Sequence, residues 1–174
     1  MENNLPTLEG NRISLRPFED GDIPHTLELL AEEGVRKYWG VFDEARLRRE
    51  FFGYPASSVF VIEHGGESVG SIHFHEETDP DYKRASMDIF LATSFQDRGL
   101  GPDALHTLSC YLFEERGHHA IDITPDVANE RAIAAYKKVG FKPVGVRRLF
   151  ERGTDGEWHD SLLMDMLAEE LTER

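Results

Sequence analysis

The sequence predicts a mixed α/β fold, an α+β arrangement built on one mixed sheet, and three observations carry that prediction. Short alternating runs such as Arg12-Ile13-Ser14-Leu15-Arg16 mark strands. Apolar residues at helical spacing, such as Leu105, Leu108 and Leu112, mark helices. The two kinds follow one another as β-α-α-β-β-β-α-β-α-β-β, which is not the strict βαβ alternation of a doubly wound sheet. The 174 residues are expected to form one domain, residues 1–174, long enough to bury a core without staples.

The elements read in order as follows. Residues 12–17 alternate and open the fold as a strand. Asp20-Gly21-Asp22 caps a helix that runs to about residue 33, with Ile23, Leu27 and Leu30 on one face. Tyr38-Trp39-Gly40-Val41-Phe42 is an aromatic cluster in a loop, and a second short helix spans 44–52. Residues 58–63 and 68–75 are strands joined by the turn His64-Gly65-Gly66-Glu67, a hairpin signal. The acidic loop Glu76-Glu77-Thr78-Asp79-Pro80-Asp81 leads into a strand over 85–92. A helix starts near Pro102, runs to about 115 and is ended by Gly117. Residues 120–124 form a short strand, and 129–139 a helix closed by Gly140. Two last strands, 142–149 and 158–166, flank a turn over 153–156. There is no internal repeat and no low-complexity linker.

Composition excludes several partners. Nineteen Lys+Arg against 33 Asp+Glu leave a formal net charge of −14, which argues against nucleic acid and against an anionic membrane surface. A cationic partner suits this charge, and so does solubility alone. Cys110 is the single cysteine, so neither an intrachain disulfide nor a zinc cluster is expected, and its apolar surroundings read as a buried small hydrophobe rather than a nucleophile. Met1-Glu2-Asn3-Asn4 is neither basic nor apolar, so no signal peptide is read there, and no apolar run reaches the ~18 residues of a membrane span. A cytoplasmic location is the expectation. His73 and His75 share a strand face without a third ligand, so no metal is predicted; His118-His119 reads as a surface turn.

The most informative stretch is Gln96-Asp97-Arg98-Gly99-Leu100-Gly101-Pro102, between a predicted strand and a predicted helix. Glycines permit a tight turn and close approach to a ligand, and the N–H groups of a helix's first turn favour an anion. Pro102 fits the first helical position, where its missing N–H costs nothing, and Arg98 could add charge to a phosphate contact. Gly99, Gly101 and Ala104 also satisfy the loose dinucleotide fingerprint, with Asp122 following. Position disfavours that reading, because four strands precede the turn rather than one. A Gly-rich strand-to-helix turn without a ligand is the remaining alternative.

Gln96-x-x-Gly99-x-Gly101, then helix, strand and Asn129-x-x-Ala132-x-x-x-Tyr136-x-x-x-Gly140-Phe141, resembles the GNAT superfamily of acetyl-CoA-dependent N-acetyltransferases. The resemblance implies the acyl-CoA N-acyltransferase fold: a central mixed, mostly antiparallel sheet with a splayed cofactor strand, flanked by about four helices. It also implies acetyl-CoA as the acetyl donor. The backbone of Gln96, Asp97, Arg98, Gly99, Leu100, Gly101 and Pro102 would hold the pyrophosphate, and the strand carrying Ile89, Phe90, Leu91 and Ala92 would pair with the pantetheine arm. Asn129 would bond near that arm, and Tyr136, two helical turns on, would be the general acid for the departing thiolate. A core aromatic is the plain alternative for Tyr136. Asp88 faces away from Met87 and Ile89 and alongside Phe90, which suits a base beside the thioester or an ordinary surface carboxylate.

Within the superfamily the local resemblance is to aminoglycoside 6′-N-acetyltransferases, through Glu76-Glu77-Thr78-Asp79-Pro80, Met87-Asp88-Ile89-Phe90-Leu91-Ala92 and Ala132-Ile133-Ala134-Ala135-Tyr136. It implies Glu77, Asp79 and Asp88 on the acceptor side, with Tyr38 and Trp39 as an acceptor loop. The segment Ile123-Thr124-Pro125-Asp126 departs from that group's pattern. The end of the chain, Gly156-Glu157-Trp158-His159-Asp160-Ser161, resembles the ribosomal-protein and polyamine acetyltransferase branch and adds Trp158 and Asp160 to the acceptor candidates. The expected partner is therefore a small-molecule amine, cationic and aminoglycoside-like or polyamine-like. A protein N-terminus and a non-catalytic CoA-binding module are the alternatives. The family allows a homodimer, although the sequence carries no interface signal.

Overall fold

The computed structural model describes residues 5–53 and 58–173; Met1 to Asn4 lie outside the described residues. Eight strands form one sheet: β1 (Leu8–Glu9), β2 (Ser14–Pro17), β3 (Ser58–His64), β4 (Glu67–Glu77), β5 (Arg84–Leu91), β6 (Ala120–Ile123), β7 (Lys142–Arg152) and β8 (Trp158–Leu167). Their order is β1-β2-β3-β4-β5-β6-β8-β7. Every neighbouring pair is antiparallel except β5 with β6. That parallel contact is confined to Ala85 opposite Ile121 and Ser86 opposite Asp122. Beyond Ser86 the strands part, and the gap between them is the cleft around which the site is built.

The two faces of the sheet bury different sets of residues because strand side chains alternate. On β3, Phe60 and Ile62 pack with Ile72, Phe74, Met87 and Leu91 under helices α4 (Leu100–Cys110) and α5 (Glu130–Val139). Val59 and Val61 point the other way, toward α1 (Ile23–Ala31), α2 (Glu33–Trp39) and α3 (Glu44–Phe52), and meet Ile23, Leu30, Leu47 and Phe51. A strand covered on both faces needs an unbroken apolar run, which is what Val59-Phe60-Val61-Ile62 supplies.

The structure alters several boundaries. Helix α4 begins at Leu100, so Pro102 is its third residue rather than its first. A helix that was not expected, α2, follows α1, because Glu32 adopts an extended ψ of 135° and ends α1. Its carboxylate accepts the N–H of Thr93 at 2.6 Å, tying the break to the end of β5. Tyr38 and Trp39 therefore sit in the last turn of α2 rather than in a loop, and Gly40, at φ +83°, closes that helix. Five α-helices thus flank the sheet among the described residues, where four were expected. Asp22 does not cap α1 with its side chain; its carboxylate takes a forked bond from Arg16 at 2.7 and 2.8 Å. Glu76 and Glu77 end β4 instead of opening a loop. His118 is buried rather than on a surface turn, with Nε2 2.8 Å from Glu76 Oε1. Cys110 is only half-buried, its Sγ 3.5 Å from His106 Nδ1.

Candidate active site

The edge of β5 is where the site begins. Ala92 donates its N–H to Val69 on β4 at 2.8 Å, so by alternation Asp88 and Phe90 also direct their backbone groups toward β4. Ile89 and Leu91 direct theirs into the gap left by β6. The carbonyl of Leu91 accepts Gln96 Nε2 at 2.9 Å, and the Arg131 guanidinium donates to Gln96 Oε1. Gln96 thereby fastens the end of β5 to α5 and holds the gap open.

The turn after β5 delivers a helix N-terminus to that gap. Asp97 and Gly99 both adopt left-handed backbone, at φ +59° and +78°. Asp tolerates that region, and Gly adopts it without strain. Gly99 is the N-cap of α4 and offers no side chain to its first turn, so the N–H groups of Leu100 and Gly101 lack a capping partner. They carry the positive end of an eleven-residue helix.

A cavity of about 410 Å³ lies against these groups. Of the residues expected to hold the cofactor, Ile89, Phe90, Leu91, Gln96, Asp97, Gly99, Gly101, Pro102, Asn129 and Tyr136 line it. Ala92, Arg98 and Leu100 do not. Ala92 is buried with its N–H spent on β4, Leu100 is fully buried in the core, and the Arg98 guanidinium lies 5.1 Å from the Phe95 ring centroid. The sequence reading missed Arg131 and Lys138, whose cations sit on the same wall from α5. Their three-and-four spacing from Ala134 and Ala135 on one helix face was the available signal.

A second cavity, of about 230 Å³, adjoins the first further back along β5, at Asp88 and Ile89. Tyr38, Trp39, Ile89, Asn129 and Tyr136 line both cavities, so the two meet at these five residues. Trp39 is held by Phe90 and His73 at 5.0 and 5.2 Å between ring centroids. His73 also packs 4.6 Å from Phe51 and, fully enclosed with His75 nearby, has its pKa pushed down to about 3, so it is neutral. Asn129 caps α5 by accepting the Ala132 N–H at 3.2 Å, which fixes the side chain at the junction.

The walls of this second cavity are acidic. Asp88 on β5, Asp126 after β6, Glu151 on β7 and Glu50 on α3 all border it, against the single guanidinium of Arg46. Arg46 is already committed, 2.7 Å from Glu50 Oε1 and 4.0 Å over the Phe42 ring. Asp88 stands across the sheet from His73 and makes no hydrogen bond among the described residues. It is open to water in the cleft but walled by protein elsewhere, and this partial desolvation raises its pKa, with the charge of His75 working against the shift. Glu151 is raised too, by burial and then by Asp88 and Asp126, against Arg46 and His159. Tyr136 is almost wholly buried, and burial and the charge of Asp88 hold its hydroxyl well above the usual tyrosine range.

Four sequence candidates lie outside both cavities. Glu77 and Asp79 are at the β4–β5 turn, where Glu77 accepts the N–H of Asp79 and Asp79 that of Asp81, each at 2.9 Å. Glu77 is opposite Arg84, four residues along β5 from Asp88, about 13 Å away. Trp158 is 57% exposed at the start of β8. Asp160 directs its carboxylate to the N–H of Leu149 at 2.7 Å. Glu50, Asp126 and Glu151, which do border the cavity, were not singled out, because nothing local marks three carboxylates from three separate elements. Among the described residues no group of three or more His, Cys, Asp or Glu is arranged to hold a metal ion, and no helix is long and apolar enough to cross a membrane.

Comparison with known proteins agrees with this architecture. The family described as "Acetyltransferase (GNAT) domain" matches residues 12–142, three quarters of the chain. The spermidine N(1)-acetyltransferase of Escherichia coli K12 is 26% identical over 160 residues, covering 87% of this chain and 84% of that protein. The structure of spermidine N-acetyltransferase from Vibrio cholerae, in complex with CoA and spermine, superposes with a TM-score of 0.78 at 21% identity, covering 91% and 97% of the two chains. AAC(6')-Ib in complex with paromomycin and acetyl-CoA does so with a TM-score of 0.76 at 22% identity, covering 94% and 99%. With its splayed β5, its uncapped glycine turn and its matched segment, the chain belongs to the GNAT family of acetyltransferases and is an N-acetyltransferase that uses acetyl-CoA.

Proposed function

We propose that this enzyme transfers the acetyl group directly to a primary amine of a small polycation, aminoglycoside-like or polyamine-like. One observation carries the acceptor class: the 230 Å³ cavity presents four carboxylates and one guanidinium that is already paired. An acceptor with a single cationic group, such as a peptide N-terminus, would leave most of that negative charge uncompensated, which is costly in a confined site. The larger cavity suits the donor, with uncapped helix N–H groups, Arg131 and Lys138 for its phosphates and the free edge of β5 for its arm.

Bound acetyl-CoA supplies an acetyl group activated as a thioester. In our reading Asp88 accepts the proton that the attacking ammonium must lose as the new C–N bond forms. The N–H groups of Ile89 or Leu91, on the open edge of β5, stabilise the negative charge that grows on the carbonyl oxygen. Tyr136 returns a proton to sulfur as the C–S bond breaks; its raised pKa keeps that proton in place at neutral pH. Asn129 offers its amide nitrogen at the junction of the two cavities, since its oxygen is taken by the α5 cap.

The test is release of free thiol from acetyl-CoA across spermidine, kanamycin and short peptides with free N-termini. Turnover on either polycation and little on peptides whose one cationic group is the N-terminus is the expected result. Turnover on peptides alone would refute the acceptor class, and stabilisation by CoA without turnover on any amine would mean a binding module instead.

A further inference from the structure

β7 is not a regular partner for β8. Arg147 stands opposite Ser161 and Glu151 opposite His159, so three residues of β7 face the single residue Asp160. The excess forms a bulge, a device that redirects a strand and re-aims the side chain after it. Leu149 within it is left-handed, at φ +49°, a conformation that a residue with a branched side chain adopts only when something holds it. The holding contact is the Leu149 N–H donated to Asp160 Oδ1 at 2.7 Å. The carbonyl of the same Asp160 accepts the N–H of Val127 at 3.1 Å. One residue therefore fastens the two segments that carry Glu151 and Asp126 to the cavity wall.

Glu151 arrives there without a counterion. It makes no ion pair or hydrogen bond among the described residues. The groups that face it are Asp88 from β5, Asp126 from the loop after β6, Arg46 from α3 and His159 from β8. Arg46 is occupied by Glu50 and by the carbonyl of Val41 at 2.8 Å. His159 is occupied by Asp155 at 2.9 Å. The bulge thus sets an exposed carboxylate beside two others at the cavity mouth, where a cationic ligand would supply the missing charge.

We propose that Glu151 is a specificity-determining carboxylate that receives a second cationic group of the acceptor, distinct from the amine being acetylated, and that Asp160 is the positioning residue that holds it there through the β7 bulge. This rests on the cationic-acceptor reading above. It gives Asp160 a different role from the direct acceptor contact that its place in the sequence suggests. It also explains why a buried-edge carboxylate is spent on a backbone N–H beside an acceptor cavity.

The experiment measures kcat and KM for spermidine, kanamycin and 1-aminobutane with the wild type, Glu151→Gln, Asp160→Ala and Asp160→Asn. The readout is the preference for the faster polycation over 1-aminobutane, taken as a ratio of kcat/KM. Glu151→Gln is expected to lower that ratio about tenfold, mainly through the KM of the polycation, the size of one charge-assisted hydrogen bond. Asp160→Ala should lower it comparably. Asp160→Asn keeps an oxygen for the Leu149 N–H and should retain the wild-type preference, although it removes the charge. An unchanged ratio in Glu151→Gln overturns the proposal. Equal losses in Asp160→Asn and Asp160→Ala overturn the positioning role, since charge rather than geometry would then matter. Absence of wild-type turnover on both polycations is a different failure, that of the acceptor reading, and removes this proposal with it. Thermal stabilisation of each variant by acetyl-CoA reports that the fold and donor cavity are intact.

Discussion

Asp88→Asn separates chemistry from structure, because it keeps the shape of the side chain and removes only its basicity. Asp88 has no hydrogen bond to lose among the described residues, so the substitution leaves no orphaned partner behind. A positioned base contributes about 10²–10⁴-fold to rate. Glu151 and Asp126 border the same cavity and can take over part of the task through water, which places the loss at the low end, about 10²-fold or 2.7 kcal/mol. Its pH dependence is more diagnostic than its size. With Asp88 present, kcat/KM rises as Asp88 ionises and then levels, because the carboxylate deprotonates the bound ammonium. With Asn, the rate follows the free-amine fraction and climbs with unit slope toward the amine's own pKa of about 10. The deficit is therefore largest in the lower part of the wild-type plateau and closes as pH rises. Thiol-release rates across that range measure it, and a variant profile parallel to the wild type would remove Asp88 as the base. Stability supplies an independent arm. Desolvation raises the folded pKa of Asp88 above its ordinary 3.8, so the folded state binds the proton more tightly than the unfolded chain. Its contribution is favourable at acid pH and is lost as pH rises through the folded value. Asp88→Asn should therefore raise Tm at neutral pH and have little effect in acid; a lower Tm at neutral pH would contradict the desolvation argument.

The remaining predictions concern the donor side. Tyr136→Phe should lower kcat about 10²-fold while acetyl-CoA affinity, measured by titration calorimetry, stays within about twofold; undiminished kcat would exclude Tyr136 as the acid. Gly99 and Gly101 should respond in opposite ways to alanine. At Gly99 the added Cβ meets Arg12 only at 3.5 Å, so the cost is the left-handed backbone, about 1 kcal/mol and roughly 3 °C in Tm. At Gly101 the Cβ would sit 3.6 Å from Leu91 Cδ1 within a helix, so alanine should keep or raise Tm yet weaken acetyl-CoA binding by occupying the approach to the helix N–H groups. Parallel losses of Tm and affinity in Gly101→Ala would refute that separation.

The lining of the larger cavity was legible because it is local in sequence. Gln96, Gly99 and Gly101 belong to one turn, and Asn129 and Tyr136 to one helix face, so spacing alone brings each set together. The lining of the smaller cavity was not, because it is assembled across the sheet. Glu151 reaches the cavity only through a bulge whose extra residues cannot be seen without the partner strand. The acidic loop that drew attention, from Glu76 to Asp81, is used structurally instead. Glu76 binds Arg116 at 2.7 Å and His118 at 2.8 Å, while Glu77 and Asp79 close a turn. Helix α2 was missed for a related reason. Its single buried residue, Val35, gives no helical stripe, and Gly34 lowers its propensity, so the helix depends on packing rather than on pattern.

The net charge of −14 takes on a specific meaning once its members are placed. A uniformly acidic surface would repel an anionic donor as strongly as it attracts a cationic acceptor, and on the proposed function the enzyme binds both. The fold separates the two kinds of charge along β5, between two adjoining cavities. One carries Arg131, Lys138 and the positive end of α4, with Asp97 as its one carboxylate. The other is bordered by Asp88, Asp126, Glu151 and Glu50. The two fields meet at the five shared residues, among them Ile89 and Tyr136, where the proposed transfer would take place. On the proposed function, a cationic acceptor entering from the acidic cavity would be drawn toward Asp88, while the donor's phosphates would stay in the cavity that holds Arg131 and Lys138. Carboxylates outside the cavity would then affect how fast the acceptor arrives, and those inside which acceptor stays. Raising ionic strength should accordingly lower kcat/KM for a polycation through screening of the approach, and leave kcat, which is measured after both partners are seated, much less affected.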